Sequence, residues 1–163
     1  MRIGILSDTH DKVGRTSRAV ALLLSEGAEV LIHCGDLTEP DVVYECIGAP
    51  AYFVFGNNDF DVKGLRKAMQ VIDATCLEWG GEVELAGKRI AVTHGDSMKE
   101  IRRLLAKHPD YLLTGHTHAP SDEREGNTRL INPGALHRTK VRTMAILDVA
   151  TDELRFLTLP EKE

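Results

Sequence analysis

Five short apolar runs of this chain each end in a carboxylate, an amide or an imidazole, usually beside a glycine. Residues 1–6 lead into Asp8-Thr9-His10, and residues 30–34 into His33-Cys34-Gly35-Asp36. The run at 51–55 leads into Gly56-Asn57-Asn58-Asp59, that at 89–92 into Thr93-His94-Gly95-Asp96, and that at 111–114 into Gly115-His116-Thr117-His118. Helical patterns separate the first three runs, and short strands alternating with helices form βαβ units. In such sheets a ligand site forms outside the carboxyl ends of the strands. The same spacing therefore constrains the fold and gathers Asp, Asn and His at one rim.

The first helix is predicted over residues 15–26, with Val20, Leu23 and Leu24 at i, i+3, i+4 spacing and Gly27 as its stop. A short helix starts near Pro40, a residue suited to a first helical position, and a weaker one covers 63–70. Around Ala86-Gly87-Lys88 the pattern becomes a hairpin with arms at 83–85 and 89–92. Ser97-Met98-Lys99-Glu100 is a capping-box signature that opens a helix with Ile101, Leu104 and Leu105 on one face. From Glu123 onward only strands are expected: a pair flanking Gly126-Asn127, then 143–148, a turn at Thr151-Asp152, and 154–159. No linker or repeat interrupts the pattern, so residues 1–163 read as one α/β domain. Its early part is βαβ and its late part antiparallel. Two sheets packed face to face with helices outside would fit this order.

Composition excludes several classes. The 163 residues suit about one domain, and 42% apolar with 28% charged residues is ordinary globular usage. No apolar run approaches the ~20 residues that span a bilayer, and the N-terminal run is too short for a secretory h-region. With 20 basic against 25 acidic residues the net charge is −5, and no basic stripe is visible. An extended nucleic acid is thus a poor partner, whereas a small phosphorylated ligand held through metal is compatible. Cys34, Cys46 and Cys76 are an odd number without Cys-x-x-Cys spacing. Free thiols and a cytoplasmic location are the expectation.

Histidine is the unusual residue. Five of the seven lie at or just after the ends of apolar runs. Carboxylate, amide oxygen and imidazole together suit Mn, Fe, Ni or Zn, and the lack of nearby cysteine disfavours a thiolate site. Each motif alone has a bland reading: Gly35-Asp36 as a turn, residues 56–59 as a loop, His94 as a hydrogen-bonded core histidine. Gly115-His116-Thr117-His118 is harder to dismiss, because two histidines one residue apart after a glycine seldom serve packing. Seven ligand candidates are too many for one tetrahedral ion. They fit two adjacent metals that share a carboxylate, an arrangement used for in-line displacement at phosphorus.

The order Asp-x-His, Gly-Asp, Gly-Asn-x-Asp, His-Gly, Gly-His-x-His resembles the calcineurin-like metallophosphoesterase family over residues 1–148, which implies an α/β fold, a four-layer α/β/β/α sandwich of two mixed β-sheets flanked by helices. The short length and Ile131-Asn132-Pro133-Gly134 are similar to its small single-domain bacterial and archaeal phosphodiesterases, a branch that also contains the retromer scaffold subunit. The resemblance implies a first metal on Asp8, His10, Asp36 and His118, and a second on Asp36, Asn57, His94 and His116. Ligand type makes Mn²⁺ the first expectation, with Ni²⁺, Fe²⁺, Zn²⁺ or Mg²⁺ as alternatives, and the resemblance implies a hydroxide between the metals attacking a small phosphodiester. A homo-oligomer is compatible with it. Many members carry His after the Asn of the third motif to protonate the leaving group; here that residue is Asn58. The competing expectation is a scaffold of the same fold without catalysis. A metallo-β-lactamase-like hydrolase would need a His-x-His-x-Asp-His cluster, which is absent.

Other polar residues divide between support and structure. His33 and Asp59 are candidates for holding ligands in place, with Asn58 beside the substrate. Asp11 and Asp96 are equally well read as solvated loop acids, and His108 as a helix C-terminal residue. His137 follows the Asn132-Pro133-Gly134 turn without an assigned role. Cys34 is expected in the core, and Trp79 as a packed turn residue or a contact surface.

Overall fold

The computed structural model describes residues 1–161. Strand β1 (Arg2–Leu6) is followed by helix α1 (Val13–Ser25), β2 (Val30–His33), α2 (Pro40–Tyr44), β3 (Ala51–Phe53), α3 (Val62–Val71) and β4 (Thr75–Cys76). Then come the hairpin β5 (Gly80–Leu85) and β6 (Lys88–Thr93), helix α4 (Met98–Leu105), β7 (Tyr111–Leu113), β8 (Ser121–Glu125) and β9 (Thr128–Asn132). Strands β10 (Thr143–Asp148) and β11 (Glu153–Thr158) complete the order.

Two sheets form. The first runs β11-β10-β1-β2-β3-β4 and the second β5-β6-β7-β9-β8. Strands β1 to β4 pair in parallel, as the βαβ pattern predicts. The later part differs from the expected antiparallel arrangement, because β6, β7 and β9 are also parallel neighbours. Their crossovers are α4, between β6 and β7, and the β8 arm before β9. After β9 the chain returns to the first sheet, where β10 pairs antiparallel with β1.

Side-chain alternation produces the layers. Ile3, Ile5, Val30 and Ile32 face Ile90, Val92, Leu113 and Ile131 in a core between the sheets. Leu6, Leu31 and Phe53 belong to the other face of the first sheet and meet Leu23 of α1, Val43 of α2 and Leu65 of α3. Ala91 and Leu112, on the outer face of the second sheet, pack with Leu104 and with Ile101 and Leu105 of α4. The helical periodicities of α1 and α4 are thus the outer faces of an α/β/β/α sandwich. Gly4 admits α1 closely: a Cβ there would lie 3.2 Å from Leu23 Cβ. At α4, Ser97 Oγ caps the Glu100 amide at 3.3 Å. The Glu100 carboxylate turns to Arg103 rather than completing the box.

Candidate metal centre

The ends of β1, β2 and β6 bring three carboxyl and imidazole groups to one buried point. Asp8 and His94 are fully inaccessible to solvent and Asp36 nearly so. Asp36 Oδ2 stands 3.4 Å from His94 Nε2 and 3.6 Å from His10 Nε2. Asp8 Oδ1 lies 3.1 Å from His118 Nε2 and 3.9 Å from His94 Nε2. One atom from each of Asp8, His10 and His118 falls within a 4.8 Å cluster, and so does one from each of Asp8, Asp36 and His94. His116 is exposed but its ring lies 5.2 Å from that of His94. Asn57 is exposed on the turn after β3, between Gly56, whose amide donates to Asp59, and Asn58, whose amide donates to Asp36.

The backbone around these residues is strained. Asp8, His10, Asp36, His116 and His118 all adopt positive φ, between 47° and 70°. Only a few per cent of non-glycine residues do so, and each costs on the order of 1–3 kcal/mol. Five such residues converging on one point mark a place where geometry has been kept against local preference.

Supporting groups hold Asp8, Asp36 and His94 in place. His94 Nδ1 lies 2.7 Å from the Cys34 carbonyl, which fixes the ring and aims Nε2 at the carboxylates. Asp8 Oδ2 accepts from Ser7 Oγ at 2.6 Å and from the His116 amide at 3.1 Å. Asp59 is buried and accepts from the backbone of Asp36, Thr38 and Gly56 at 2.7–2.9 Å, clamping the loop after β3 to the loop after β2. His33 Nδ1 accepts from the Gly35 amide at 3.1 Å, so Nε2 carries the proton and donates to Thr9 Oγ1 at 2.9 Å. This histidine ties the residue between Asp8 and His10 to the residue before Asp36. Asn58 is turned onto Asp36: its Nδ2 donates to Oδ2 at 2.8 Å and its amide to Oδ1 at 2.9 Å. His137, without a role on sequence grounds, packs its ring 4.8 Å from His10. Asp11 and Asp96 are exposed, Asp11 pairing with Lys12, and His108 lies exposed just beyond α4. Cys34 is in the core between the sheets, and Trp79 packs on Phe55.

The donor set fits metal ions. His10 Nε2 and His94 Nε2 are buried without a hydrogen-bond partner, although each faces a carboxylate. A buried polar nitrogen left unpaired costs about 1–3 kcal/mol, and coordination by a cation would satisfy both.

Charge coupling within the site gives a pH signature. Burial disfavours charge on His94, but Asp36 and Asp8 outweigh it and push the imidazole up to about 9. Burial likewise works against ionised Asp36, yet the facing His94 imidazole and the hydrogen bonds from Asn58 hold its carboxyl well below the usual range. Burial pushes His33 down to about 3 and also lowers His10. The raised His94 contributes stability that is full below 6.5 and lost as pH rises toward 9. The lowered His33 favours the folded state above 6.5, and that advantage is lost as pH falls toward 3. Thermal unfolding of chelator-treated protein is therefore expected to show a Tm maximum near pH 6–7 with a decline on both sides. A saturating divalent ion should remove the alkaline decline by replacing the proton on His94; a Tm rising steadily to pH 9 without metal would contradict this coupling.

Carboxylates and imidazoles gathered where two parallel strand sets end define the class, a metal-dependent α/β enzyme. The sequence profile of the calcineurin-like phosphoesterase superfamily domain matches residues 1–152. Phosphodiesterase MJ0936 of Methanocaldococcus jannaschii is 30% identical over 165 residues, covering 98% of this chain and 99% of the relative. Phosphodiesterase YfcE of Escherichia coli is 26% identical, covering 83% and 79%. A solved structure described as a novel archaeal phosphodiesterase superposes with a TM-score of 0.89 at 30% identity, over 98% of this chain and all of that one. The chain belongs to the calcineurin-like phosphoesterase superfamily and is a hydrolase of phosphoesters. A zinc complex of Vps29 from Entamoeba histolytica shares the fold, with a TM-score of 0.63 at 15% identity over 98% of this chain and all of that one. No helix among the described residues is long and apolar enough to cross a membrane.

Proposed function

We propose that this chain hydrolyses small phosphodiesters with two divalent ions, held by Asp8, His10, Asp36 and His118 on one side and by Asp36, Asn57, His94 and His116 on the other. The observation that carries the reading is the pair of partnerless imidazole nitrogens, His10 Nε2 and His94 Nε2, on either side of Asp36 Oδ2. Bound divalent ions supply an activated water near neutral pH and neutralise charge on the phosphoryl oxygens. In the reaction the oxygen of water joins phosphorus, one P–O ester bond breaks, and the alcohol leaves with a proton. Oxygen and imidazole donors favour Mn²⁺, with Ni²⁺, Fe²⁺, Zn²⁺ and Mg²⁺ as alternatives. Three free cysteines suit a reducing compartment, in keeping with a cytoplasmic enzyme.

The chain's own residues set substrate preference. Asn58 cannot release a proton, and its side chain is committed to Asp36. General-acid assistance is worth about 10²–10⁴-fold, so alcohols that leave without it should dominate. Metal-stripped protein is expected to be inactive on an aryl phosphodiester and to gain turnover with Mn²⁺. The matching alkyl diester should react at least about 10²-fold more slowly. Metal binding without turnover of any diester would replace this reading with a protein-interaction scaffold.

A further inference from the structure

The chain is acidic overall, but the surface beside the metal centre is not. Lys12, at the N-cap of α1, is followed by Arg15 and Arg18. The segment after β9 carries His137, Arg138 and Arg142, more than a hundred residues later. Folding joins them: Arg15 Nη1 donates to the Leu136 carbonyl at 2.6 Å, next to the His137 that packs on His10. Arg18 Nη1 donates to the Pro160 carbonyl at 3.0 Å. Burial and repulsion from Arg142 and Arg18 both disfavour the charge on Arg15.

Most arginines elsewhere are matched by carboxylates, as in Arg66 with Glu78, Arg89 with Glu82 and Arg155 with Glu26, the exposed Arg102 being an exception. Among the described residues Arg15 and Arg18 have no acidic partner, and the Nε atoms of Arg18 and Arg142 are buried without any hydrogen bond. The acids nearby are Asp11, which pairs with Lys12 at 2.7 Å, and Glu161, 3.4 Å from Arg142. Asp11, Lys12, Val13, Gly14, Arg15 and Arg18 line an open cleft of ≈ 430 Å³, within the range of ligand pockets. Gly14 leaves it unobstructed, since a Cβ there would meet nothing within 4 Å. Basic groups that outnumber the carboxylates beside them are costly to hold together, and a bound anion relieves the cost.

We infer that this cleft is a second anion subsite, taking a phosphoryl group on one arm of the substrate while the scissile phosphate sits at the metal centre. The substrate class is then a small phosphodiester that bears a further phosphate. This assignment rests on the phosphodiesterase reading; the anion subsite itself does not. It also explains how an acidic protein attracts a multiply charged substrate, because the favourable field is local to the approach.

The test separates the two. Calorimetric titration of metal-stripped protein with inorganic pyrophosphate reads the subsite without turnover. Wild type is expected to bind with marked salt dependence, and Arg15→Gln/Arg18→Gln to bind at least 10-fold more weakly. Gly14→Asp keeps both arginines, adds a carboxylate where there is space, and suits a first helical turn; it should weaken binding similarly. With Mn²⁺ present, a diester with an added terminal phosphate should show a KM at least 10-fold below that of the unphosphorylated diester. That gap should close in both variants. Equal pyrophosphate affinity in wild type and both variants would overturn the subsite. Arginine-dependent binding with no KM advantage would overturn the substrate class, and with no turnover of any diester it would overturn the hydrolase reading while leaving the anion subsite standing.

Discussion

Asp36→Asn is expected to remove both metal ions together. The substitution is mild in shape, and Asn tolerates the left-handed backbone that Asp36 adopts at φ 59° nearly as well as Asp does. What changes is the electrostatics. Oδ1 and Oδ2 both accept hydrogen bonds from Asn58, and Oδ2 also faces His10 and His94. An amide can offer only one oxygen, so its NH₂ must oppose one of the Asn58 donors, a buried mismatch of about 1–3 kcal/mol. Loss of groups that merely support a ligand costs roughly 10–100-fold in metal affinity, and losing the carboxylate proposed to be shared should cost at least the upper figure at both proposed sites. Metal titration followed by mass spectrometry should show no retained Mn²⁺, with diester turnover lost in parallel. Two equivalents bound at near wild-type affinity would remove Asp36 from the centre of the site.

Gly56→Ala should be nearly as damaging, although it touches no candidate ligand chemically. A Cβ at this position would overlap Asp36 Oδ1 and lie 2.6 Å from the Asp36 nitrogen. The opposite loop cannot yield easily, because Gly35 already brings its backbone against Gly56: a Cβ on Gly35 would be 2.9 Å from the Gly56 nitrogen. The Gly56 amide is further held by Asp59 Oδ2 at 2.7 Å. Overpacking of this kind costs about 1–3 kcal/mol, and here the displaced group is the carboxylate itself. The expected result is a Tm lowered by several degrees and Mn²⁺ affinity down at least about 10-fold. Unchanged metal affinity would mean that the loop relaxes without moving Asp36.

The rim of the site was legible because strand ends are punctuated. Asp8, His10, Asp36, His94 and His118 stand where apolar runs stop, and the structure brings all five together. The outer layers were legible from α1 and α4, whose apolar spacing is unambiguous. Strand β4 was not, since two residues, Thr75 and Cys76, are too few to show a period. Parallel pairing of β6, β7 and β9 was missed because the short run at β7 states no direction. Left-handed φ at the histidines leaves no mark in residue order beyond the nearby glycines. The basic surface escaped because its halves, around Arg15 and Arg142, are unremarkable until folding joins them. Asn58 was read by its place in a motif, whereas its side chain answers to the nearest carboxylate.

The pairing of β10 with β1 has a bearing on the order of assembly in a growing chain. Asp8 and His10 extend from β1, which lies between β2 and β10. While the chain is being made, β1 has a neighbour on one side as soon as β2 emerges, but its other edge stays bare until residues 143–148 arrive. At ~5–20 residues per second that interval is about 6–23 s. Throughout it an apolar strand edge is open to unwanted pairing, and the cluster is without His118 for most of the same period. A nascent chain thus cannot gather Asp8, His10 and His118 until residue 118 has been made, or close the sheet around β1 until residues 143–148 follow.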